Sequence, residues 1–492
     1  MRSNYVQFKT PQFSLLSEQQ KEEIHLAVLQ ILEKTGVAFY CQEAVNLLGE
    51  AGADVSDPMR VKIPSCLVEQ ALRTAPKTIT LYTREGEPAM VLNGMTGAHF
   101  GAMSAVPPKY LDPCTRKARN GYVEDVADTA RVIDALPNIE WTYTVGGCPA
   151  LHGDLDLKVS ALQAILNSSK PLTSSLNNVS MLKDILEVCS VVAGGEKLLK
   201  AKPFFFGAVE PVSPLVQGKD ALEKSLLCAE RGIPNVVYGM QMAGATTPAT
   251  FPATLAIGIA ECLSHLVVIQ LKKPGAPVIF GALPGIMDMK TMIFSYDAPE
   301  VNLLVTTATE MSHYYKLPMF GNAGITDSEE IDIQTATVIT YQVLVSALSG
   351  ADLVHNVGAM SQGKMGSPEL IVLTDEVVEM AKVLMGGLEI NEETLPLDLI
   401  ERVGPGGQYL SQSHTLKHFR KFMVPTIFDR TPSMVRNEGI KHSGDLLNEK
   451  TLRIMNTHQP KPLPEGMVRE LKGIEKTWFN RLGLKHEYPP RE

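Results

Sequence analysis

Short apolar runs, each introduced by a residue and a proline, recur through the middle of the chain. The runs are too short for helices and do not alternate polar with apolar residues, which is typical of parallel strands buried on both faces. A proline keeps the residue before it out of the helical conformation and so sharpens the turn from helix to strand. The five runs are KPLTSSL from Lys170, KPFFFGAVE from Lys202, IPNVVYGMQ from Ile233, APVIFGALPG from Ala276 and LPMFGNAG from Leu317.

Three further runs extend this series to eight predicted strands. They are GAHFGAMSA near residue 100, IEWTYTVGG near residue 140 and GADLVHNVGAM near residue 355, and helical sequence follows each of the eight. Eight strands alternating with helices is the number that a closed (β/α)₈ TIM barrel needs. A doubly wound open sheet is the alternative, but it usually carries a G-x-G-x-x-G turn after its first strand, and this sequence has none there. We therefore predict an α/β protein built on a TIM barrel.

The predicted barrel spans residues 96–365 and is flanked by two extensions. Residues 1–95 form a predicted α+β extension, in which LSEQQKEEIHLAVLQILEKTG is a helix with Ser17 as its N-cap and Gly36 at its end. Residues 366–492 are predicted to form a mostly helical C-terminal extension packed on the barrel.

Charge and cysteine usage exclude several classes of protein. The net charge is -9 and no basic cluster offsets it, which argues against a nucleic-acid-binding protein. The 7 cysteines are scattered and form no C-x-x-C pair, which indicates reduced thiols in a cytoplasmic protein. The N-terminus lacks the apolar core of a signal peptide. The apolar segment ATLAIGIAECLSHLVVIQL contains Glu261 and His265, so it predicts a buried helix and not a membrane span.

Polar residues at the carboxyl ends of the predicted strands are the candidates for chemistry, because barrel enzymes place their active sites there. Glu210 follows strand four, Gln241 follows strand five and His355 lies at the end of strand eight. We name these three as candidate catalytic residues, with a purely structural role as the alternative for each.

The remaining histidines are weaker candidates. His265 and His313 fall inside predicted helices and are expected to pack or to lie at the surface. His414 and His418 lie four residues apart, a spacing at which two histidines can share a metal. The sequence supplies no H-E-x-x-H pattern and no third ligand, so we predict no metal site.

Aromatic residues on the strands are candidates for a cage around a cation, which ring faces attract through their quadrupole. Phe100, Tyr143, Phe206 and Phe280 are the ones we select, and Trp141, Phe204, Tyr238 and Tyr296 also fall on or near predicted strands. Asn322 and Asn356, at the ends of strands seven and eight, complete the predicted substrate-binding set.

Three segments, in order along the chain, resemble the trimethylamine methyltransferase family. They are YLDPCTRKARNGYVEDVADTARVIDALPNI (110–139), GNAGITDSEEIDIQ (321–334) and VGPGGQYLSQSHTLKHFR (403–420). The resemblance runs nearly end to end and matches the length of family members. It implies a TIM barrel that moves a methyl group from a methylated amine to the cobalt of a corrinoid protein.

The resemblance also narrows the expected substrate. Founding members of the family carry pyrrolysine in the strand-seven region, which corresponds here to Asp327–Asp332, and this chain has only the standard residues DSEEID there. Members without pyrrolysine resemble quaternary-amine demethylases, which makes glycine betaine the expected substrate and proline betaine or carnitine the alternatives. A quaternary amine leaves as a neutral amine without a proton donor, so its displacement needs orientation more than acid–base help. On this reading His355, Asn356 and Gln241 bind the betaine carboxylate.

The resemblance implies that the corrinoid arrives on a partner, because the chain lacks a D-x-H-x-x-G motif. The partner would dock over the strand ends, where glycines allow a close approach. A homodimer is also expected, since such barrels often dimerise. The residues predicted to face the corrinoid are Gly239, Gly281, Gly324, Asp327, Ser328 and Gly358.

Three other functions stay open at this point. A barrel lyase or aldolase would use a lysine Schiff base, but Lys170, Lys202 and Lys316 lie at strand starts. A zinc-dependent methyltransferase would need Cys and His ligands that this sequence does not assemble. A binding protein for betaines without catalytic activity is the third.

Overall fold

The computed structural model describes residues 12–103, 107–143, 146–432 and 441–491. Residues 1–11, at the N-terminus for which no signal peptide is predicted, lie outside this description. So do parts of two predicted runs, residues 104–106 after GAHFGAM and residues 144–145 of IEWTYTVGG.

A strand is present in each of the eight predicted runs, and we number these strands one to eight along the chain. They are His99–Ala102, Ile139–Tyr143, Leu172–Thr173, Gly207–Val209, Asn235–Gly239, Val278–Ala282, Phe320–Asn322 and Leu353–Val357.

The eight strands pair in parallel. Strands seven, eight, one, two and three are successive neighbours in one sheet, and strands six, five and four are neighbours in a second. Parallel bridges between Leu172 and Phe205 and between Phe280 and Met319 connect the two sheets. The protein is therefore a mixed α/β protein in which the carboxyl ends of the eight strands lie at one edge.

Helices connect consecutive strands and pack on the sheets. In chain order the helices, including one π-helical and one 3₁₀ segment, are Glu18–Gln30, Ile31–Thr35, Gln42–Glu50, Ser65–Thr74, Val123–Ala135, Gly153–Asn167, Val179–Ala193, Glu196–Ala201, Lys219–Arg231, Phe251–Lys272, Pro299–Tyr314, Ile333–Ser349, Pro368–Met385, Leu397–Val403, Ser413–His418, Phe419–Lys421, Ser443–Thr457 and Glu465–Arg481.

Shorter strands form hairpins and bridges around this framework. They are Ala38–Phe39, Ile79–Tyr82, Pro88–Leu92, Lys109–Asp112, Lys117–Asn120, Val216–Gln217, Met242–Ala243, Gly285–Asp288, Ile293–Phe294, Ala359–Met360 and Met365–Gly366.

The first helix begins at the N-cap that the sequence predicts. The Ser17 side chain accepts a hydrogen bond from the Gln20 backbone, and the Gln20 side chain accepts one from the Ser17 backbone. This capping box satisfies two backbone donors that would otherwise lack a partner within the helix. Gly36, with φ 77°, follows the π-helical turn that extends the first helix.

Helix Pro368–Met385 continues the alternation of strands and helices beyond residue 365. It follows strand eight, packs on it and contacts helices Ile333–Ser349 and Val123–Ala135. Ser367 caps its first turn by accepting from the Leu370 backbone, and Pro368 occupies the first helical position.

Helix Phe251–Lys272 is long and apolar enough to cross a membrane, but most of it is buried inside the protein. His265 lies in its buried face, where one ring nitrogen is 2.7 Å from Gln217 Oε1 and the other is 2.7 Å from Ser225 Oγ. Burial lowers the pKa of His265 to about 3. The expected packing role of His265 agrees with these contacts.

Rings from several strands meet on the face of the sheets that points away from the helices, which we call the inner face. Trp141 contacts Phe206 at 5.5 Å and Phe320 at 6.1 Å between ring centroids. Phe320 also contacts Tyr238 at 5.0 Å. Gly101 lies beneath Trp141, so closely that a Cβ atom there would overlap the indole ring. The inner face is therefore packed by large aromatic side chains of strands two, five and seven.

Candidate active site

Glu210 is a carboxylate that faces water at the carboxyl edge of the strands. It follows strand four directly, and its side chain is accessible to solvent. The protein around it still removes enough water to raise its pKa, and the Tyr238 hydroxyl and the charge of Lys224 only partly oppose this effect. Tyr238 donates a hydrogen bond to the carboxylate. Glu210 is therefore a partly desolvated carboxylate at the carboxyl edge of the strands.

Three tyrosines lie around this carboxylate. Tyr143 ends strand two, with its hydroxyl 3.0 Å from Ser175 Oγ, and Tyr296 reaches in from the loop after strand six, with its hydroxyl 3.8 Å from Met240 Sδ. Burial, and after it the negative charge of Glu210, raises the pKa of both phenols. Tyr238 of strand five is the third. One carboxylate among three electron-rich rings is an environment that attracts an organic cation.

Asp327 fixes the loop that carries Tyr296. Its carboxylate accepts hydrogen bonds from Ser295 Oγ at 2.8 Å and from the Tyr296 backbone at 3.2 Å. In return, the Asp327 backbone donates to Asp297 at 2.9 Å. The loops after strands six and seven are thereby tied together, and Asp327 acts on the site through Tyr296. Ser328 bonds Thr326 and Glu330 in its own loop, and its carbonyl accepts a hydrogen bond from the Ser361 backbone at 3.0 Å.

His355 lies on the inner face beside Tyr238. Its ring stacks on Phe320 at 4.2 Å, and its Nδ1 donates to the Gly321 carbonyl at 2.5 Å. Burial lowers the pKa of His355 to about 3, so the imidazole is neutral at physiological pH. Its Nε2 finds no hydrogen-bond partner among the described residues. With the proton on Nδ1, that atom can only accept, so His355 cannot serve as an acid at neutral pH.

Asn322 and Asn356 meet at the ends of strands seven and eight. Asn356 Nδ2 donates to Asn322 Oδ1 at 2.7 Å, and Asn356 adopts φ 82°, a left-handed conformation that asparagine tolerates better than most residues. Because this hydrogen bond occupies the Asn322 oxygen, the Asn322 Nδ2 group is left to donate to another acceptor.

The whole sequence has recognisable relatives. It matches the family described as Trimethylamine methyltransferase (MTTB) over residues 1–476. The chain belongs to this family.

Individual relatives of this methyltransferase-family chain differ in substrate. Trimethylamine methyltransferase MttB of Desulfitobacterium hafniense (strain DSM 10664 / DCB-2) is 31% identical over 95% of this chain and 94% of its own length. Glycine betaine methyltransferase of Desulfitobacterium hafniense (strain Y51) is 29% identical over 86% and 88%. The solved Methanosarcina barkeri monomethylamine methyltransferase MtmB shares the fold, with a TM-score of 0.53, 12% identity, and coverage of 98% of this chain and 90% of that chain. These relatives identify a transferase of methyl groups.

In this family member the Gln241 side chain bonds Glu261 and not Glu210. It is buried, and its Nε2 donates to Glu261 Oε2 at 2.5 Å. Glu261, in helix Phe251–Lys272, also accepts from Ser213 Oγ and from the Leu215 backbone, both at 2.8 Å. Burial raises the pKa of Glu261. The contacts of Gln241 are therefore those of a residue that ties the loop after strand five to the helix that follows.

We expect Gln241→Leu to lower the free energy of unfolding by about 1–3 kcal/mol, because the buried Glu261 would lose one of its three donors. Urea denaturation followed by circular dichroism measures this change. Gln42→Leu is the matched control, because Gln42 is exposed and the partner described for its side chain is Asn46 on the same helix. Its effect should stay within about 0.5 kcal/mol. Equal effects of the two variants would contradict a structural role for Gln241.

The predicted aromatic cage divides between two faces. Phe206 contacts Trp141 on the inner face, and Tyr143 lies close enough to Glu210 to sense its charge. Phe280 instead contacts Tyr315, the residue that caps helix Pro299–Tyr314, at 6.1 Å between ring centroids. Phe100 lines a recess of about 330 Å³ together with Ala347 and Val378 of two helices. Both phenylalanines therefore pack under helices and do not reach Glu210. The sequence did not select Tyr238 and Tyr296 for the site.

Packing explains the glycines at the strand ends. A Cβ atom at Gly281 would lie 2.7 Å from Cβ of Tyr238, and one at Gly324 would lie 2.7 Å from Cα of Val357. A Cβ at Gly239 would overlap the Gln241 side chain, and one at Gly358 would overlap Ile371. All four positions are crowded by the protein itself, so an approach of the corrinoid to them stays a prediction.

Glu393 lies beside His414 and His418 as a third potential metal ligand, which the sequence did not indicate. Glu393 Oε1 is 2.8 Å from His418 Nε2, and the Glu393 carbonyl is 3.0 Å from His414 Nε2. Together these residues could hold a metal ion by distance alone. However, the same Glu393 oxygen pairs with Lys417 at 2.7 Å, so an ion pair already accounts for the arrangement.

Proposed function

We propose that this protein transfers a methyl group from a quaternary amine, glycine betaine first, to the Co(I) of a partner corrinoid protein, releasing dimethylglycine. The observation that carries the proposal is Glu210 among Tyr143, Tyr238 and Tyr296. A permanent cation suits this group of side chains, since the carboxylate offers charge and the rings offer their faces. Proline betaine and carnitine carry the same head group and are the alternative substrates.

His355 does not supply the proton that a neutral amine would need on leaving and a quaternary amine would not. His355 is neutral, with its one proton held by the Gly321 carbonyl, so it offers no proton to a leaving group. A quaternary ammonium leaves as a neutral amine and requires no acid. The residues therefore need to bind, orient and shield the cation, and such positioning alone can contribute several kcal/mol to the lowering of a barrier.

The other end of a betaine is a carboxylate. Asn322 is proposed as its partner, because the hydrogen bond from Asn356 leaves the Asn322 Nδ2 as a donor at the strand ends. Gln241, although predicted for this role, is occupied by Glu261.

We infer that the eight strands close into a (β/α)₈ barrel. The two bridges that connect the sheets, and the contact of Trp141 on strand two with Phe320 on strand seven, support this inference. In a barrel the carboxyl ends of all strands surround one opening, which would make Glu210 accessible to a large partner. The flanking segments 1–95 and 366–492 would then be extensions of the barrel.

The corrinoid partner is proposed to dock at this opening, and the reaction to take place in the cytoplasm. The corrinoid supplies the nucleophile that accepts the methyl group. A cleft of about 700 Å³ adjoins the loops after strands seven and eight, and both Glu330 and Lys364 line it. Its mixed charges offer ion pairs to a protein partner.

A methyl-transfer assay tests the proposal. Purified protein is mixed with a corrinoid protein in the Co(I) state and with glycine betaine, proline betaine, carnitine or trimethylamine, and methylcobalamin formation is followed by absorbance. We expect a signal with a quaternary amine and none with trimethylamine. A signal with trimethylamine alone, or none with any quaternary amine, would contradict the proposal.

Tyr296 provides a test of the aromatic contribution. We expect Tyr296→Leu to raise the Kd for the quaternary amine about 2- to 30-fold, since it removes one cation–π partner. Tyr296→Phe keeps the ring and should change Kd by less than about twofold, because the hydrogen-bond partner described for the hydroxyl is the weakly accepting Met240 sulfur. Isothermal titration calorimetry measures both values. Indistinguishable effects of the two variants would show that the ring face does not contact the cation.

A further inference from the structure

Lys224 is a partly buried cation behind the candidate active site. It lies in helix Lys219–Arg231, which follows strand four and packs on it. Its side chain lines a small cavity of about 10 Å³ between this helix and strand four, together with Ala208 and Val209 of the strand. Glu210 is the next residue along the chain. Lys224 therefore approaches, from the helix side, the strand end that carries the carboxylate.

A hydrogen bond fixes the ammonium group of Lys224 at the carboxyl edge of the strands. Its Nζ donates to the Leu176 carbonyl, in the loop after strand three. The residue before Leu176 is Ser175, whose Oγ is 3.0 Å from the Tyr143 hydroxyl. Lys224 is thereby linked, through two consecutive residues of one loop, to a ring that lies close enough to Glu210 to sense its charge.

Two polar side chains share the cavity with Lys224. Ser174 and Asn235 line it, and Ser174 Oγ and Asn235 Oδ1 have no hydrogen-bond partner among the described residues. Both oxygens are acceptors, whereas an ammonium group is a donor only and has three hydrogens. Burial lowers the pKa of Lys224, and the negative charges of Glu210 and Asp220 oppose this effect. The lining of the cavity therefore suits a positive charge at this place.

Most of the other titratable groups around the two side chains are neutral at physiological pH. Burial raises the pKa of the Tyr143 and Tyr296 hydroxyls, and it raises the pKa of the Cys228 thiol, on the helix of Lys224, to about 12. Burial also lowers the pKa of His265, on the next helix, to about 3. The positive charge that acts on the carboxylate at the strand end is therefore that of Lys224.

We propose that Lys224 is a positioning residue of the candidate active site, which holds Glu210 in its ionised form from the helix side of strand four. The proposal rests on the proposed function, in which this carboxylate meets the ammonium group of the substrate. A carboxylate that loses its water takes up a proton more readily unless a nearby positive charge opposes this. Lys224 supplies such a charge from behind the strand, where it does not occupy the space of the substrate.

The same positive charge repels a quaternary ammonium, so the effect of Lys224 on binding changes sign with pH. Where Glu210 is ionised in any case, the lysine can only weaken binding. Where Glu210 would otherwise be neutral, the lysine strengthens binding because it restores the carboxylate. A lysine that only held the Leu176 carbonyl in place would not produce this change of sign.

The pH profile of glycine betaine binding tests the proposal. Isothermal titration calorimetry compares the wild type with Lys224→Met and with Lys224→Gln, which keeps a donor for the carbonyl. Without the lysine, Glu210 takes up its proton at a higher pH, so affinity is lost earlier on acidification. We expect the acid limb of both variants to move to higher pH by about half a unit or more. Above this limb they should bind as tightly as the wild type, or up to about threefold more tightly.

Two further variants separate charge from structure. Lys224→Arg keeps the charge and should keep the position of the acid limb. Lys219→Met is the matched control, because it removes the same charge from the same helix at an exposed side chain that pairs with Glu223. An acid limb that stays in place in both Lys224→Met and Lys224→Gln, or that moves as far in Lys219→Met, would overturn the proposal. So would a loss of affinity that is equal at every pH.

An infrared titration without substrate separates failure of this proposal from failure of the proposed function. The carbonyl band of protonated Glu210 is identified by its absence in Glu210→Gln, and circular dichroism confirms that each variant is folded. We expect the band to appear at a higher pH in Lys224→Gln than in the wild type. If the band shifts while no protein binds a quaternary amine, the proposed function fails and the action of Lys224 on Glu210 stands. A band that does not shift would overturn that action.

Discussion

Replacing Glu210 with glutamine is expected to raise the Kd for glycine betaine about 30- to 100-fold. The change keeps the size of the side chain and the hydrogen bond from Tyr238 but removes the negative charge that faces the ammonium. At an effective dielectric constant of about 20, a pair of charges 4–6 Å apart interacts by about 3–4 kcal/mol, of which about 2–3 kcal/mol should be lost after the neutral contacts that remain are counted. Isothermal titration calorimetry of the free protein measures the change without any corrinoid.

Glu329→Gln is the control for this variant. Glu329 is exposed in the loop after strand seven, and the hydrogen bond described for its carboxylate is a long one, of 3.3 Å, from Ser361 Oγ. The substitution removes the same charge from the same edge of the strands, so it measures the long-range part of the effect. If it weakens binding as much as Glu210→Gln does, Glu210 does not contact the cation.

The pH dependence of binding follows from the same carboxylate. Burial raises the pKa of Glu210, so the neutral form persists to a higher pH than it does for an ordinary glutamate. The quaternary ammonium has no proton to lose, and it binds the ionised form. Affinity should therefore fall as the pH drops through the raised pKa of Glu210, and this part of the profile should be flat in Glu210→Gln. His355, with a pKa of about 3, does not titrate in the same window.

The second large effect is on stability. Gly101→Ala is expected to lower the free energy of unfolding by about 3 kcal/mol, because the added methyl group would overlap the Trp141 ring. The indole has little room to move: its nitrogen donates to the His99 carbonyl at 3.0 Å, and its ring is held between Phe206 and Phe320. Urea denaturation followed by circular dichroism measures the loss.

Gly153→Ala separates this overlap from the general effect of replacing a glycine. Gly153 begins helix Gly153–Asn167, and a Cβ atom there meets no atom within 4 Å. Alanine restricts the unfolded chain, so this variant should be neutral or more stable by up to about 1 kcal/mol. A Gly101→Ala protein as stable as Gly153→Ala would show that the inner face is less tightly packed than described.

The fold could be predicted to the level of its strands because each strand has a local signal. A proline and an apolar run are properties of a few consecutive residues. Together they indicated five strands, and apolar runs alone indicated the other three. The pairing of those strands depends on contacts between residues far apart, such as Phe280 with Met319, and no local pattern contains it.

The candidate site could be predicted only in part for the same reason. Glu210 follows from the rule that chemistry lies at strand ends. Phe100 and Phe280 were selected while Tyr238 was not, because a shift of one residue along a strand turns a side chain to the other face, and sequence does not say which face is inner. Tyr296 lies in a loop, where no periodicity exists, and Asp327 positions it through contacts that only the folded chain creates.

Gln241 is a residue whose position was predicted correctly but whose hydrogen-bond partner was not. It lies at a strand end, as a catalytic residue would, but its partner Glu261 is twenty residues later in the next helix. The strand-end rule predicts a location and does not predict a partner.

The way residues 387–425 are attached has a consequence for how this protein can change over time. They begin just after helix Pro368–Met385, and Glu376 of the same helix accepts hydrogen bonds from the backbone of Thr426, Ile427 and Phe428 just beyond them. Insertions or deletions within 387–425 therefore need not move any strand end. Free-energy effects of substitutions in this segment and around Glu210 should add, because the two sets of residues share no described partner.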